Sequence, residues 1–271
     1  MTKSDKAAVI REVVAFGLTD TGSVREHNED AFLLADLTSS ARWEDESIAR
    51  WTVAKRGVLL AVSDGMGGAK AGEVASAISL EALCEGMFHT KAAGADKDDA
   101  TRLRHVIERA NRAVREAAAR PDRRGMGATL TAVLITPSAT YVAQIGDSRA
   151  YLLRDNTICQ VTHDQSYVQM LVDAGAISPE AAEHSPHKNL ILQVMGQQED
   201  VDVALGRLDF RAGDRLLLCS DGLTNMVDDE TIRKLVCSGD PLDQVCAKLV
   251  AQANSAGGDD NITVVLAEPG D

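Results

Sequence analysis

Apolar and polar positions follow two rhythms along the chain, and the changes between them mark the elements. Residues 58–62 form a short unbroken apolar run that ends in Ser63-Asp64-Gly65. That pattern predicts a buried strand running into a turn. Over residues 73–88 the apolar positions recur at helical spacing, at Val74, Ala77, Ile78, Leu80, Leu83, Cys84 and Met87. Residues 98–119 repeat the rhythm with Leu103, Val106, Ile107, Ala110 and Val114. Two consecutive amphipathic helices are expected, separated by Gly94 and the Asp/Lys cluster around it. A strand-rich block follows, with β-branched and aliphatic runs at 129–135, 140–145, 149–154 and 157–161. Asp155-Asn156 between the last two predicts a tight hairpin turn.

Residues 165–173 read as a helix that ends near Gly175. Residues 177–189 are polar, carry Pro179, His184, Pro186 and His187, and read as a surface excursion. Residues 215–219 form another strand, entering Ser220-Asp221-Gly222. Helical patterns over 229–237 and 242–254 precede a closing strand over 261–267. Helices thus come in pairs and strands in runs, unlike the strict alternation of a doubly wound sheet. The expected class is α+β, with antiparallel sheets and helices packed outside them. Residues 38–57 resist this scheme. They hold Trp43, Trp51 and the acidic run Glu44-Asp45-Glu46. They read as a surface loop or short helix whose indoles cover the domain edge, with a partner-docking insert as the other reading.

Composition narrows the picture. With 271 residues, 45% of them hydrophobic, the chain can bury a large core, and no Pro/Gly/Ser-rich linker or repeat divides it. We therefore expect a single domain over 1–271. Aromatics are only 3%, so Ala, Val, Leu and Ile must build that core. A net charge of −13 repels nucleic acid and anionic lipid, and neither is an expected partner. Five cysteines, an odd number with no CxxC pair, argue against a disulfide framework or a zinc knuckle and for a reducing compartment. Residues 1–14 contain no long apolar stretch, so a cytoplasmic location is expected.

Several chemistries drop out. A thiol phosphatase needs a Cys ahead of an Arg in a phosphate-cradling loop, and none of the cysteines has that Arg. The Gly-rich stretch from Gly65 to Gly72 leads into a helix but lacks the Gly-Lys-Ser/Thr of a P-loop. There is no HExxH motif and no Cys/His zinc spacing. No GxSxG elbow supports a Ser-His-Asp arrangement. What remains is a set of acidic clusters at predicted strand ends: Arg25-Glu26-His27-Asn28-Glu29-Asp30, Ser63-Asp64-Gly65, Gly146-Asp147-Ser148-Arg149, Ser220-Asp221-Gly222, and Asp259-Asp260-Asn261. Any single Asp-Gly is most simply a turn. Coincidence weakens when all occur in one chain and two are the near-identical Val-Ser-Asp-Gly-Met and Cys-Ser-Asp-Gly-Leu. Magnesium and manganese are hard cations that take oxygen ligands, and carboxylates at several strand ends can converge if the strands share a sheet edge. Two such ions, roughly 3.5–4 Å apart, can share a water and lower its pKa. An Arg can grip two phosphate oxygens in a fork.

These residues resemble the metal-dependent serine/threonine protein phosphatases of the type 2C-like family, bacterial branch. The likeness is carried in order by the segment from Thr21 to Asp30, Asp64 to Gly68, Gly127-Ala128-Thr129, Gly146 to Ala150, Ser220 to Leu223, and Asp260 to Thr263. It implies a four-layer αββα fold, two stacked antiparallel sheets flanked by helix pairs. It implies that Asp64 bridges two metals, that the Gly65 carbonyl binds one of them, and that Asp221 and Asp260 complete the first. Glu29 and Asp30 would bind metal directly or through water, and Arg25 would hold the substrate phosphate. Catalysis would rest on Arg25, Asp30 and Asp64. Asp147, with Asp221, would reach a third metal. The cofactor would be Mn2+ or Mg2+, two ions at the centre and a third beside them. Residues 162–190 resemble a flap that affects substrate access.

The implied reaction is hydrolysis of phosphoserine and phosphothreonine on proteins by a metal-activated water, reversing a bacterial kinase. The expected partners are phosphoproteins, a Ser/Thr kinase and its targets, met by a monomer. One departure stands out. Many relatives carry a His after the Asp-Gly as general acid, and here Met66 cannot donate a proton. A water on the metal, or less readily His163 or His184, would have to serve. Two alternatives stay open: an inactive metal-binding relative, whose signature would be a missing carboxylate, and a phosphohydrolase of small molecules.

Overall fold

The computed structural model describes residues 10–43, 47–67, 71–90 and 99–270. The acidic run 44–46, Gly68 and Gly94 lie outside the described residues. Two six-stranded antiparallel sheets lie face to face. The first runs β11 (Thr157–Gln160), β10 (Arg149–Arg154), β13 (Arg215–Cys219), β14 (Ile262–Pro269), β1 (Glu12–Asp20), β4 (Ala49–Thr52). The second runs β12 (Ala204–Leu208), β9 (Thr140–Ile145), β8 (Leu130–Ile135), β5 (Val58–Ser63), β2 (Ala31–Asp36), β3 (Ala41–Trp43). A small two-stranded sheet pairs β6 (Gly65–Met66) with β7 (Gly127–Ala128).

Three apolar layers hold the sandwich. Helices α1 (Ala71–His89) and α2 (Asp99–Ala118) cover the second sheet, with Leu83, Met87, Leu103 and Ile107 packed against Leu33, Leu59, Ala61 and Leu134. After the single turn α5 (Asp221–Thr224), α6 (Asp229–Val236) and α7 (Leu242–Ser255) cover the first sheet, placing Ile232, Val245 and Leu249 on Tyr151, Leu217 and Leu266. Between the sheets, Val13, Ala15, Leu60, Val62, Leu218 and Val265 meet. Strand β5 shows why 58–62 reads as a continuous apolar run. Leu59 and Ala61 face the helices while Val58, Leu60 and Val62 face the other sheet, so neither face meets water. The expected αββα architecture is the one found.

Residues 38–57 are the main departure in secondary structure. Where a loop or short helix is expected, β3 is the edge strand of one sheet and β4 of the other. Trp43 on β3 and Trp51 on β4 meet edge-to-face, ring centroids 5.9 Å apart, and close that side of the sandwich. The nine-residue β1, buried toward both the other sheet and the α6–α7 layer, and the mostly exposed β12 also escape the pattern reading. The Asp155-Asn156 turn is as expected, with φ of 49° and 60°, the left-handed pair that matches hairpin twist. The helix expected over 165–173 is α3 (Tyr167–Asp173), and the excursion over 177–189 contains the short α4 (Pro179–Glu183); the Ser166 and Ser178 hydroxyls cap them.

Candidate metal centre

Antiparallel order brings five segments to one end of the sandwich. Asp64 follows β5, Asp147 lies in the β9–β10 turn, Asp221 follows β13, Asp260 precedes β14, and the 21–30 loop joins β1 to β2. Arg25, Glu29, Asp64, Gly65, Asp221 and Asp260 line one cleft of about 490 Å³. Asp30 lies behind its wall, 8% exposed. Asp147 faces a neighbouring cavity of about 620 Å³ instead, and Asp221 lines both.

Close backbone packing makes this convergence possible. A Cβ on Gly65 would stand 2.1 Å from the Gly72 carbonyl oxygen and 2.6 Å from that of Glu29. A Cβ on Gly222 would stand 2.0 Å from the Asn261 carbonyl oxygen. Glycine is required at both positions by this approach of chain to chain.

Hydroxyl and amide groups then orient the carboxylates. Asn261 accepts from Glu29 N (2.8 Å) and donates to the Thr21 and His27 carbonyls (2.9 Å each), which fixes the 21–30 loop on the start of β14. Ser76 on α1 donates to the Glu29 carbonyl at 2.6 Å. Asp64 N donates to Thr129 Oγ1 at 2.9 Å, and Thr129 in turn meets Ser148 at 2.7 Å. Ser220 Oγ donates to Asp30 Oδ2 at 2.6 Å and accepts from Thr263 N at 3.0 Å. None of these positioning groups was given a role from the sequence. For Ser148, Ser220 and Asn261 the available signal is adjacency to Asp147, Asp221 and Asp260, whereas Ser76 and Thr129 adjoin no acid and carry no such signal.

The electrostatics are unfavourable as the chain stands. Burial pushes Asp30 up to about 7, against hydrogen bonds from Ser220 and Thr263 and with Asp221 and Asp260 adding to the rise. Burial, then repulsion from Asp30, Asp221, Asp147 and Asp260, holds the Asp64 carboxyl well above its ordinary range. Asp147 and Asp221 are raised by burial first and by neighbouring carboxylates second. Burial also raises Glu29. Asp147 Oδ1 and Asp221 Oδ1 are buried without a hydrogen-bond partner among the described residues. Such a group is costly unless a cation meets it.

This all-oxygen donor set, with orphaned buried oxygens, fits hard divalent cations. Among the described residues no three of the side chains are drawn close enough to enclose an ion as they stand. Four of their oxygens are engaged within the chain: Asp260 Oδ2 by Arg25 (2.7 Å), Asp260 Oδ1 by Asn261 N (2.9 Å), Asp221 Oδ2 by Asn225 (3.0 Å) and Asp30 Oδ2 by Ser220. Of the histidines considered from the sequence, His163 bonds Asp173 at 2.7 Å and His184 lines the neighbouring cavity. The histidine lining the cleft itself is His27, beside Met66.

Comparison with known proteins bears on this site. The protein phosphatase 2C family profile matches residues 37–267. The serine/threonine phosphatase stp of Listeria welshimeri is 38% identical over 251 residues, covering 92% of this chain and 93% of that protein. The solved S. agalactiae serine/threonine phosphatase superposes with a TM-score of 0.81 at 31% identity, over 95% of this chain and 100% of that one. The catalytic domain of the serine/threonine protein phosphatase PstP, solved with two manganese ions, superposes with a TM-score of 0.75 at 35% identity, over 95% and 98% of the two chains.

Proposed function

Since the chain belongs to the protein phosphatase 2C family, and is a metal-dependent protein serine/threonine phosphatase, we propose that it hydrolyses its substrates directly, without a phosphoenzyme, at the Asp64 cleft. The observation that carries this reading is the convergence of buried carboxylates whose raised pKa values and orphaned oxygens call for cations at one open cleft of about 490 Å³. When bound there, divalent cations acidify a water and offset charge on the phosphoryl oxygens.

The chain's own groups do the rest. Asp64, the Gly65 carbonyl, Asp221 and Asp260 would hold the ions, with Glu29 and Asp30 contributing directly or through water. Arg25, 52% exposed at its side chain, is tethered to Asp260 and to the Asp259 carbonyl, and it turns its fork to the incoming phosphate. Asp30, held by the Ser220 hydroxyl behind the cleft wall with its carboxyl raised by burial, would orient the attacking water and take up its proton. Met66 cannot protonate the leaving alkoxide, so water in the cleft does. Asp147 and Asp221, with their unpartnered oxygens at the neighbouring cavity, are suited to a third ion. We further propose that a Ser/Thr kinase and its targets are the substrates, and that the enzyme acts as a cytoplasmic monomer away from nucleic acid and membranes. No disulfide joins the cysteines among the described residues, and none of their helices is long and apolar enough to cross a membrane.

The test is substitution with the ions counted. Asp64→Ala and Asp221→Ala should each remove nearly all turnover of a phosphothreonine peptide at saturating Mn2+. Asp147→Ala should bind one ion fewer by calorimetry while keeping the other two. Near-normal turnover in Asp64→Ala would refute the assignment.

A further inference from the structure

One stretch at the rim of the cleft has the geometry of an unfinished sheet. Residues 165–167 and 190–192 meet at an isolated antiparallel bridge between Ser166 and Ile191. Tyr167 N donates to Leu190 O at 2.8 Å, and Leu192 N donates to Gln165 O at 2.7 Å. In that pattern the bridged residues are a non-hydrogen-bonded pair, so the Ile191 N–H and C=O point away from Ser166, along the free side. Neither has a hydrogen-bond partner among the described residues. The base of this stretch is firm. Arg149 forks onto Asp164 at 2.7–3.1 Å, and Gln165 is tied to Gly146 through both its backbone and its side chain. The Ile191 side chain lines the same cleft as Arg25 and Asp64. Alternation along an extended segment puts Leu190 and Leu192 on the other face, and they are 52% and 39% exposed.

We propose that this rim is a docking edge for the substrate backbone: a stretch flanking the phosphorylated residue lies extended beside residues 190–192, exchanges two hydrogen bonds with Ile191, and covers Leu190 and Leu192 with apolar side chains. The proposal rests on the phosphatase reading above and adds what the enzyme requires of a substrate beyond the phosphate. Three observations converge on one occupant. The substrates are protein chains, the edge is continuous with the cleft that takes the phosphate, and an extended peptide carries N–H and C=O groups at the spacing Ile191 offers. The backbone bonds are indifferent to sequence, so selectivity arises from the leucines: they favour an apolar residue on each side of the paired one.

The experiment walks single N-methyl groups along a phosphothreonine peptide, one backbone amide at a time, and measures kcat and KM with wild-type enzyme at saturating Mn2+. One position near the phosphothreonine should lose about fivefold or more in kcat/KM, mainly through KM, as expected for one lost hydrogen bond and its displaced strand. Replacing the apolar residues beside that position by Ser should also raise KM, and Ile191→Pro should lower the ratio of peptide to p-nitrophenyl phosphate turnover. If every N-methylated peptide is hydrolysed within twofold of the parent, the docking edge is overturned while the phosphatase reading stands. If neither the parent peptide nor free phosphothreonine is hydrolysed, both are overturned.

Discussion

Removing the cations should make the protein less stable as the pH rises toward neutrality, the reverse of ordinary acid denaturation. Asp30 has its pKa raised from 3.8 to about 7 by burial, and Asp64, Asp147 and Asp221 are raised by burial and mutual repulsion. A carboxyl group with a folded pKa above its unfolded value binds protons more tightly in the native state. Its contribution is fully present below the unfolded pKa and is lost as pH climbs through the folded one. At 1.36 kcal/mol per unit, Asp30 alone should cost about 2 kcal/mol between pH 5.5 and 7.5. Carboxylates held low on the surface, such as Glu230 at about 2 beside Arg233, act only in acid and do not mask this window. The assay is urea unfolding in EDTA at pH 5.5, 6.5 and 7.5. With a slope of about 3 kcal/mol/M, the midpoint should fall by about 0.6 M from pH 5.5 to 7.5. Mn2+ at about 100 times its dissociation constant should restore about 2.7 kcal/mol per site at pH 7.5 and much less at pH 5.5, where protons compete for the same oxygens. If the EDTA-treated protein is more stable at pH 7.5 than at 5.5, the carboxylates are not crowded as described and the reasoning fails.

Further predictions probe the groups that hold the site. Ser220→Ala strips a fully buried donor from Asp30 and an acceptor from Thr263 N, so unfolding should become easier by about 2–3 kcal/mol in urea titrations, with Mn2+ binding weaker by calorimetry. Gly222→Ala drives a Cβ to 2.0 Å from the Asn261 carbonyl oxygen, displacing the turn that carries Asp221, and should weaken Mn2+ affinity on the order of tenfold or more. Iodoacetamide on the native protein should label exposed Cys159 first; Cys219 and Cys246, their thiols pushed up to about 12 by burial, should react only in denaturant, as peptide mass mapping would show.

The difference between what could and could not be read from the sequence has a physical origin. Unbroken apolar runs that end in Ser-Asp-Gly make the ends of β5 and β13, where Asp64 and Asp221 stand, legible in the sequence; burial on both faces is not enough by itself, since β1 shares it and lacks that ending. Strand β12 is largely exposed at a sheet edge, and the three residues of β3 are only half-buried, so their side chains carry little hydrophobic signal. What defines them is pairing with β9 and β2, a partner that a one-dimensional pattern does not contain. The same limit applies inside the site. Each acid could be picked out with its neighbours, but which neighbour works on which acid is decided across the sheets: Ser220 serves Asp30, not the adjoining Asp221, and Asn261 serves Glu29 through its backbone. Such exchange follows from antiparallel order, because the end of β13, the start of β14 and the 21–30 loop are brought side by side from positions some 190 and 232 residues apart. A carboxylate cluster assembled this way is held by groups on other segments. Weakening one such group should therefore shift ion affinity at carboxylates that remain chemically untouched, which is why Ser220→Ala and Gly222→Ala probe the centre more selectively than removal of Asp64 itself.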